Sequence, residues 1–111
     1  MLPKINRLTK KKDFDLVFKK GNSVKGDFLL FKALGNKLKE NRFGFIVSNK
    51  VSKRATVRNK IKRRMRQAAY KELPKNSNHR DVVIIALPGS EKREFLEIQE
   101  VISKFFKRNL L

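Results

Sequence analysis

Between residues 55 and 73 the apolar positions recur at Val57, Ile61, Met65, Ala68 and Ala69. At about 100° per residue they fall within one face roughly 120° wide. That spacing predicts a helix from about Ala55 to Leu73, stopped by Pro74, with Thr56 as a candidate cap near its start. A second helical pattern begins at Thr9 or Lys10 and runs to about Lys20. In it Phe14, Val17 and Phe18 share a face, Leu16 lies nearly opposite, and Gly21-Asn22 is a stop signal. A third runs from Glu91 to about Lys107 with a stripe of Phe95, Ile98, Val101, Ile102, Phe105 and Phe106; Ser90 reads as its N-cap, and glutamates early with lysines late complement the helix dipole.

Strand patterns lie between these helices. Ser23–Lys25 suits a short strand and Gly26-Asp27 a turn. Phe28–Leu34 and Arg42–Ser48 read as strands, and the short polar loop 35–41 between them predicts an antiparallel hairpin. Gly44, inside the second of these, points to a bulge or a close backbone approach. Asp81–Leu87 is a continuous β-branched run of the kind buried on both faces. A strand, a helix and a buried strand in succession predict a crossover unit with parallel pairing. Residues 1–8 have no periodicity and read as an extended arm, and 74–80 as a polar loop. At 111 residues the chain is expected to be a single α+β domain, 1–111, with strands packed by helices.

Charge changes this picture most in the middle helix. From Lys50 to Arg66, nine of seventeen residues are Lys or Arg, and no acid occurs between Glu40 and Glu72. Asn59, Arg63, Arg66 and Tyr70 line the side opposite the apolar stripe, with Lys60 and Gln67 on one shoulder and Arg58 and Lys62 on the other. An unneutralised ridge of this kind repels itself, so its complement is a polyanion; the alternative is a merely solvated basic helix. The net charge of +19 extends the argument to the whole chain, and a hydrophobic fraction of 40% makes it a folded polycation rather than a disordered one. A membrane-surface helix would carry bulky aromatics on its apolar face. Here that face is Val, Ile, Met and Ala, sized for packing inside a domain, so the chain is expected to bind nucleic acid and not membrane. The absence of cysteine, of a secretory pattern and of any apolar run longer than Val82–Pro88 fits the cytoplasm.

Catalytic chemistry is scarce. The one histidine is His79, in a predicted loop, and Asp13, Asp15 and Asp27 and the C-terminal glutamates do not form a convergent acid–base or metal-binding pattern. No phosphate-binding glycine loop and no metal-ligand spacing occurs either, so no catalytic or metal-ligating residue is assigned and the chain reads as a binder. Two phenylalanines one turn apart, Phe14 and Phe18, are either core or a platform on which bases rest.

The segment Ala55-Thr-Val-Arg58-Asn59-Lys60-Ile61-Lys62-Arg63-Arg64-Met65-Arg66 resembles the signature helix of the bacterial ribonuclease P protein component. That pattern is an Ala, two residues, Arg-Asn-Arg/Lys, an aliphatic, Lys-Arg, and a further basic residue three positions on. Leu8, Asp13-Phe14 and Val17–Gly21 are similar to the family's first helix, Gly44–Lys50 to its central strand, and Asp81–Ala86 to its last. The resemblance implies a two-layer α-β sandwich of order αβββαβα. It carries a mostly antiparallel four-stranded sheet and a left-handed crossover through the basic helix, a fold shared with one domain of a small-subunit ribosomal protein.

By the same resemblance the chain is the protein subunit of a ribonucleoprotein that removes the 5′ leader from precursor tRNA. Its RNA subunit performs the hydrolysis with bound Mg²⁺, one protein serves each RNA, and the isolated protein is not expected to be catalytic. Arg58, Asn59, Lys60, Lys62, Arg63 and Arg66, with Lys53 and Arg54 before them, match positions facing the RNA subunit. Phe14, Phe18 and Phe31 match positions lining the cleft for the leader. Lys60 stands where the family often has Arg, and Phe31 where some relatives have Tyr. The residues by themselves leave two rivals open: a basic ribosomal or other structured-RNA-binding protein, and a stand-alone nuclease.

Overall fold

The computed structural model describes residues 2–36, 38, 40–72 and 79–108. Its elements are α1 (Lys11–Lys20), β1 (Asn22–Lys25), β2 (Leu29–Gly35), β3 (Arg42–Val47), α2 (Ala55–Glu72), β4 (Arg80–Ala86) and α3 (Phe95–Arg108), with 3₁₀ turns at Lys4–Asn6 and Ser90–Lys92. Residues 73–78, on which the predicted helix stop and most of the following polar loop fall, lie outside the described residues.

The four strands form one sheet in the order β1-β2-β4-β3. β4 pairs antiparallel with β2 and parallel with β3, so the crossover through α2 joins parallel neighbours. The expected β2–β3 hairpin is therefore absent, because β4 sits between the two strands. Two inter-strand spacings are roughly 10 Å, which residues 36–41 span with ease. A strand that is apolar on both faces gains most from an inner position, and every residue of β4 except Ile85 is buried.

Alternation along the strands sorts the core into two clusters. On one face Leu29, Phe31 and Ala33 of β2, Phe43 and Val47 of β3, and Val82, Ile84 and Ala86 of β4 meet α2 and α3. From α2 come Ile61, Met65, Ala68 and Ala69, and from α3 Ile98, Ile102 and Phe105, the stripes read from the sequence. Leu34, Ile46, Val83 and Ile85 form the other face, where they pack with Leu8, Phe14 and Val17. The α-β sandwich is thus present, with α1 covering part of the reverse face of the sheet.

Two segments depart from the sequence reading. The N-terminal arm is packed along the sheet rather than loose: Leu2 is 1% exposed within the main core. The Asn6 side-chain amide donates to the Asn41 carbonyl at 2.8 Å and the Leu8 N–H to the Phe43 carbonyl at 2.8 Å. The arm thereby covers the outer edge of β3, where unpaired backbone would otherwise stand free.

The last helix begins at Phe95, not Glu91. Gly89, at φ 103°, leads into the separate turn Ser90–Lys92, and Arg93 is extended. The helix is capped from Glu94, whose carbonyl accepts the Ile98 N–H at 3.2 Å and whose N–H donates to the Glu97 carboxylate at 3.1 Å. That is the return half of a capping box, three residues beyond the cap, so Ser90 is not the N-cap. Among the described residues no helix is long and apolar enough to cross a membrane.

Candidate nucleic-acid interface

The basic helix α2 is fixed by its buried side. Ile61, Met65, Ala68 and Ala69 are at most 2% exposed, and small side chains at the last two let the helix lie close to its neighbours. The opposite side is then necessarily in solvent. Asn59, Lys60, Arg63, Arg66, Gln67 and Tyr70 are exposed, while Arg58 and Lys62 on the shoulder are half-buried.

The approach to the helix is built from two serine turns: the Ser48 hydroxyl accepts the Lys50 N–H and the Ser52 hydroxyl the Arg54 N–H, each at 3.2 Å. Between them Val51 is 5% exposed and anchors the loop to the core, which leaves Lys53 and Arg54 displayed at the helix start. The Arg54 carbonyl accepts the Val57 and Arg58 N–H groups, both at 3.1 Å, so it is Arg54 that opens the helix and Thr56 lies inside the first turn.

All eight residues assigned to the RNA-facing set therefore lie on one continuous surface. Arg58 is held by its guanidinium, which donates to the Ser52 carbonyl at 3.0 Å. Among the described residues, no carboxylate forms an ion pair with any of these cations; the ion pairs are Arg42–Asp13, Arg42–Asp81 and Arg93–Glu97. No acid occupies the first turn of α2 either, so the positive end of the helix dipole adds to Lys53 and Arg54 and suits an anion there. Arg64, by contrast, turns away to donate to the Arg93 carbonyl at 2.7 Å, tying α2 to the start of α3.

The three phenylalanines do not come together. Phe14 lies against the reverse face of the sheet, its ring occupying the place where a side chain on Gly44 would be, which is the close approach that glycine signalled. Phe18, one turn on, is 40% exposed. Phe31 is 1% exposed on the opposite face and stacks on Phe105, ring centroids 4.2 Å apart and planes 7° from parallel. A ring enclosed in this way cannot accept a base without opening the core, so Phe31 leaves the cleft set.

Lys32, its neighbour in the strand, faces the other way. Its ammonium stands 5.8 Å from the centroid of the Phe18 ring and donates to the Ser23 hydroxyl at 2.9 Å. Phe18 and Lys32 thus form an aromatic and cationic pair beside α1, of the kind that stacks a base and meets its phosphate. The signal for Lys32 was a single charge within the otherwise apolar strand FLLFKAL.

At the other end of α1, Arg42 was also missed. Its guanidinium forks onto Asp81 at 2.8 and 2.6 Å and reaches Asp13 of α1 at 3.4 Å. The hydrogen bond to Asp81 is the main reason that the Arg42 pKa is raised, against the lowering effect of its own burial. Arg80, largely buried, has its pKa lowered by desolvation alone. Among the described residues no three His, Asp or Glu side chains converge to hold a metal ion, and the carboxylates that meet at Arg42 are both taken up by it. His79 is exposed in the approach to β4.

Comparison with known proteins identifies the family and the fold. The family model for Ribonuclease P matches residues 2–109. The ribonuclease P protein component of Synechocystis is 40% identical over 108 residues, covering 93% of this chain and 87% of its own. That of Alkaliphilus metalliredigens is 32% identical, covering 93% and 92%. Among solved structures, a Staphylococcus aureus RNase P protein mutant with defective mRNA degradation activity superposes with a TM-score of 0.86 at 30% identity, covering 94% of this chain and 87% of its own. The Thermotoga maritima protein bound to 1-(4-fluorophenyl)-2-thiourea gives 0.84 at 28% identity, covering 92% and 98%. With the match spanning nearly every residue, the chain belongs to the ribonuclease P protein component family.

Proposed function

We propose that this chain docks on the RNA subunit of ribonuclease P through the outer side of α2 and the Ser48–Arg54 approach, and holds the 5′ leader of precursor tRNA beside α1. The observation that carries the reading is the row of cations on a rigid helix with no ion-paired carboxylate among the described residues, a shape that a folded RNA's phosphates complement. Arg63 and Arg66, one turn apart and both exposed, can each fork onto phosphate oxygens in a way that lysine cannot.

The leader, being single-stranded, offers unpaired bases to Phe18 and a backbone to Lys32, with Phe14 supporting the helix from beneath. Hydrolysis belongs to the RNA subunit with Mg²⁺ held mainly by that RNA; the protein supplies position and charge. One protein per RNA and a cytoplasmic location fit this division.

Reconstitution tests it. This chain, added to a bacterial ribonuclease P RNA at low Mg²⁺, is expected to restore precursor-tRNA cleavage, while the RNA-free protein cleaves nothing. Cleavage by the protein alone, or no stimulation of the RNA, would overturn the proposal.

A further inference from the structure

Helix α1 is held to the sheet at three points along its length. Its last residue leads into Gly21, which presses on the Ala33 carbonyl so closely that a Cβ would stand 2.9 Å from that oxygen. In the middle, Phe14 fills the notch at Gly44, and Val17 is fully buried. At its start the contact is polar: Asp13 meets Arg42 at 3.4 Å.

Arg42 is not free to move with α1. Asp81, at 6% exposure, receives both of its forked hydrogen bonds, and the Asn36 side chain donates to the same carboxylate at 2.8 Å. Arg42 and Asp81 are cross-strand partners on β3 and β4, so the guanidinium is a fixed post on the sheet. Apolar contacts set how deeply α1 sits, but they permit sliding and tilting. A directional contact at the far end from Phe18 resists both.

We propose that Asp13 is a positioning residue for leader recognition: held by Arg42, it fixes the tilt of α1 and so the spacing between Phe18 and Lys32. This inference rests on the leader-binding reading of that pair. Its sign sets it apart from bulk electrostatics. Replacing Asp13 by Asn removes a negative charge from a polycation, and charge alone makes the variant bind a polyanion more tightly. Loss of position makes it bind the leader more weakly.

The test uses the holoenzyme reconstituted from this chain and ribonuclease P RNA, and compares affinity for precursor tRNA with affinity for mature tRNA. Asp13→Asn is expected to lower the precursor-to-mature affinity ratio by about 2- to 5-fold, the range of a partly exposed ion pair. The loss should appear in substrate affinity rather than in the cleavage rate of bound precursor, and Asp13→Glu should restore it. Asp15→Asn, the same charge change at an exposed position two residues along, should leave the ratio unchanged or raised. If Asp13→Asn behaves like Asp15→Asn while Phe18→Ala loses leader discrimination, the positioning role falls and the leader reading stands. If Phe18→Ala also has no effect, the leader reading fails and takes this inference with it.

Discussion

Phe18 and Phe31 are the same residue type in the sequence but stand in opposite environments in the fold, one exposed and one buried, so their alanine variants should part company. Phe31 is 1% exposed and stacked on Phe105. Phe31→Ala removes the ring from between β2 and α3, and enclosed Phe→Ala changes cost about 3–5 kcal/mol once the residual cavity is counted. For a domain of this size about 1 kcal/mol corresponds to roughly 4 °C in Tm, so a fall of roughly 12–20 °C is expected. Phe18, at 40% exposure, encloses little, and its alanine variant should stay within about 1 kcal/mol of the parent in stability. It should instead lose about 1–3 kcal/mol of affinity for leader-bearing precursor, the worth of one stacked base, with mature tRNA binding nearly unchanged. Thermal unfolding followed by circular dichroism, together with precursor and mature tRNA affinities in the holoenzyme, measures both effects. A Phe31→Ala protein that melts like the parent but selectively loses the leader would place that ring in the groove and refute the reasoning.

Two further outcomes follow from local geometry. Gly44→Ala puts a methyl group where the Phe14 ring lies, so α1 must lift; a loss of about 1–3 kcal/mol in stability is expected by urea unfolding, together with weakened leader binding. The Glu97 carboxyl is held below its ordinary value of 4.5 first by the Glu94 N–H and then by Arg93. A depressed carboxyl stabilises the fold above its unfolded pKa and loses that contribution as pH falls through the folded one. Glu97→Gln should therefore flatten the dependence of Tm on pH at and below about 4.5 and leave it unaltered near neutrality.

The helices were legible because their apolar stripes are long: Ile61 to Ala69 and Ile98 to Phe105 face the core as their spacing required. The exposure of the polar face of α2 was legible for the complementary reason, since burying Ile61 and Met65 leaves Asn59, Arg63 and Arg66 nowhere but outside. Sheet order was not. The hairpin rule favours consecutive strands as neighbours, and it lost to the gain from burying both faces of β4. The face of Phe31 was obscured because FLLFKAL is apolar on both sides except at Lys32, and that one charge is the only alternation signal for which side meets α3. Ser90 had the sequence of a cap, but the extended Arg93 that divides the 3₁₀ turn from α3 comes from tertiary packing: its guanidinium lies over Phe28 at 4.8 Å and its carbonyl accepts from Arg64. Leu2 likewise carries no periodic signal, because it is buried by a segment distant in sequence.

The central claim is that α2 displays its cations to the phosphates of a large folded RNA, and the salt dependence of binding to ribonuclease P RNA tests it most directly. If the seven cations of the RNA-facing set each meet a phosphate, affinity should fall about 10³- to 10⁴-fold between about 50 and 200 mM salt. The paired variant Arg63→Gln with Arg66→Gln should then lower the slope of log K against log salt by about 1.4–1.8. A parent slope near zero, or a paired variant with the parent's slope, would contradict the account.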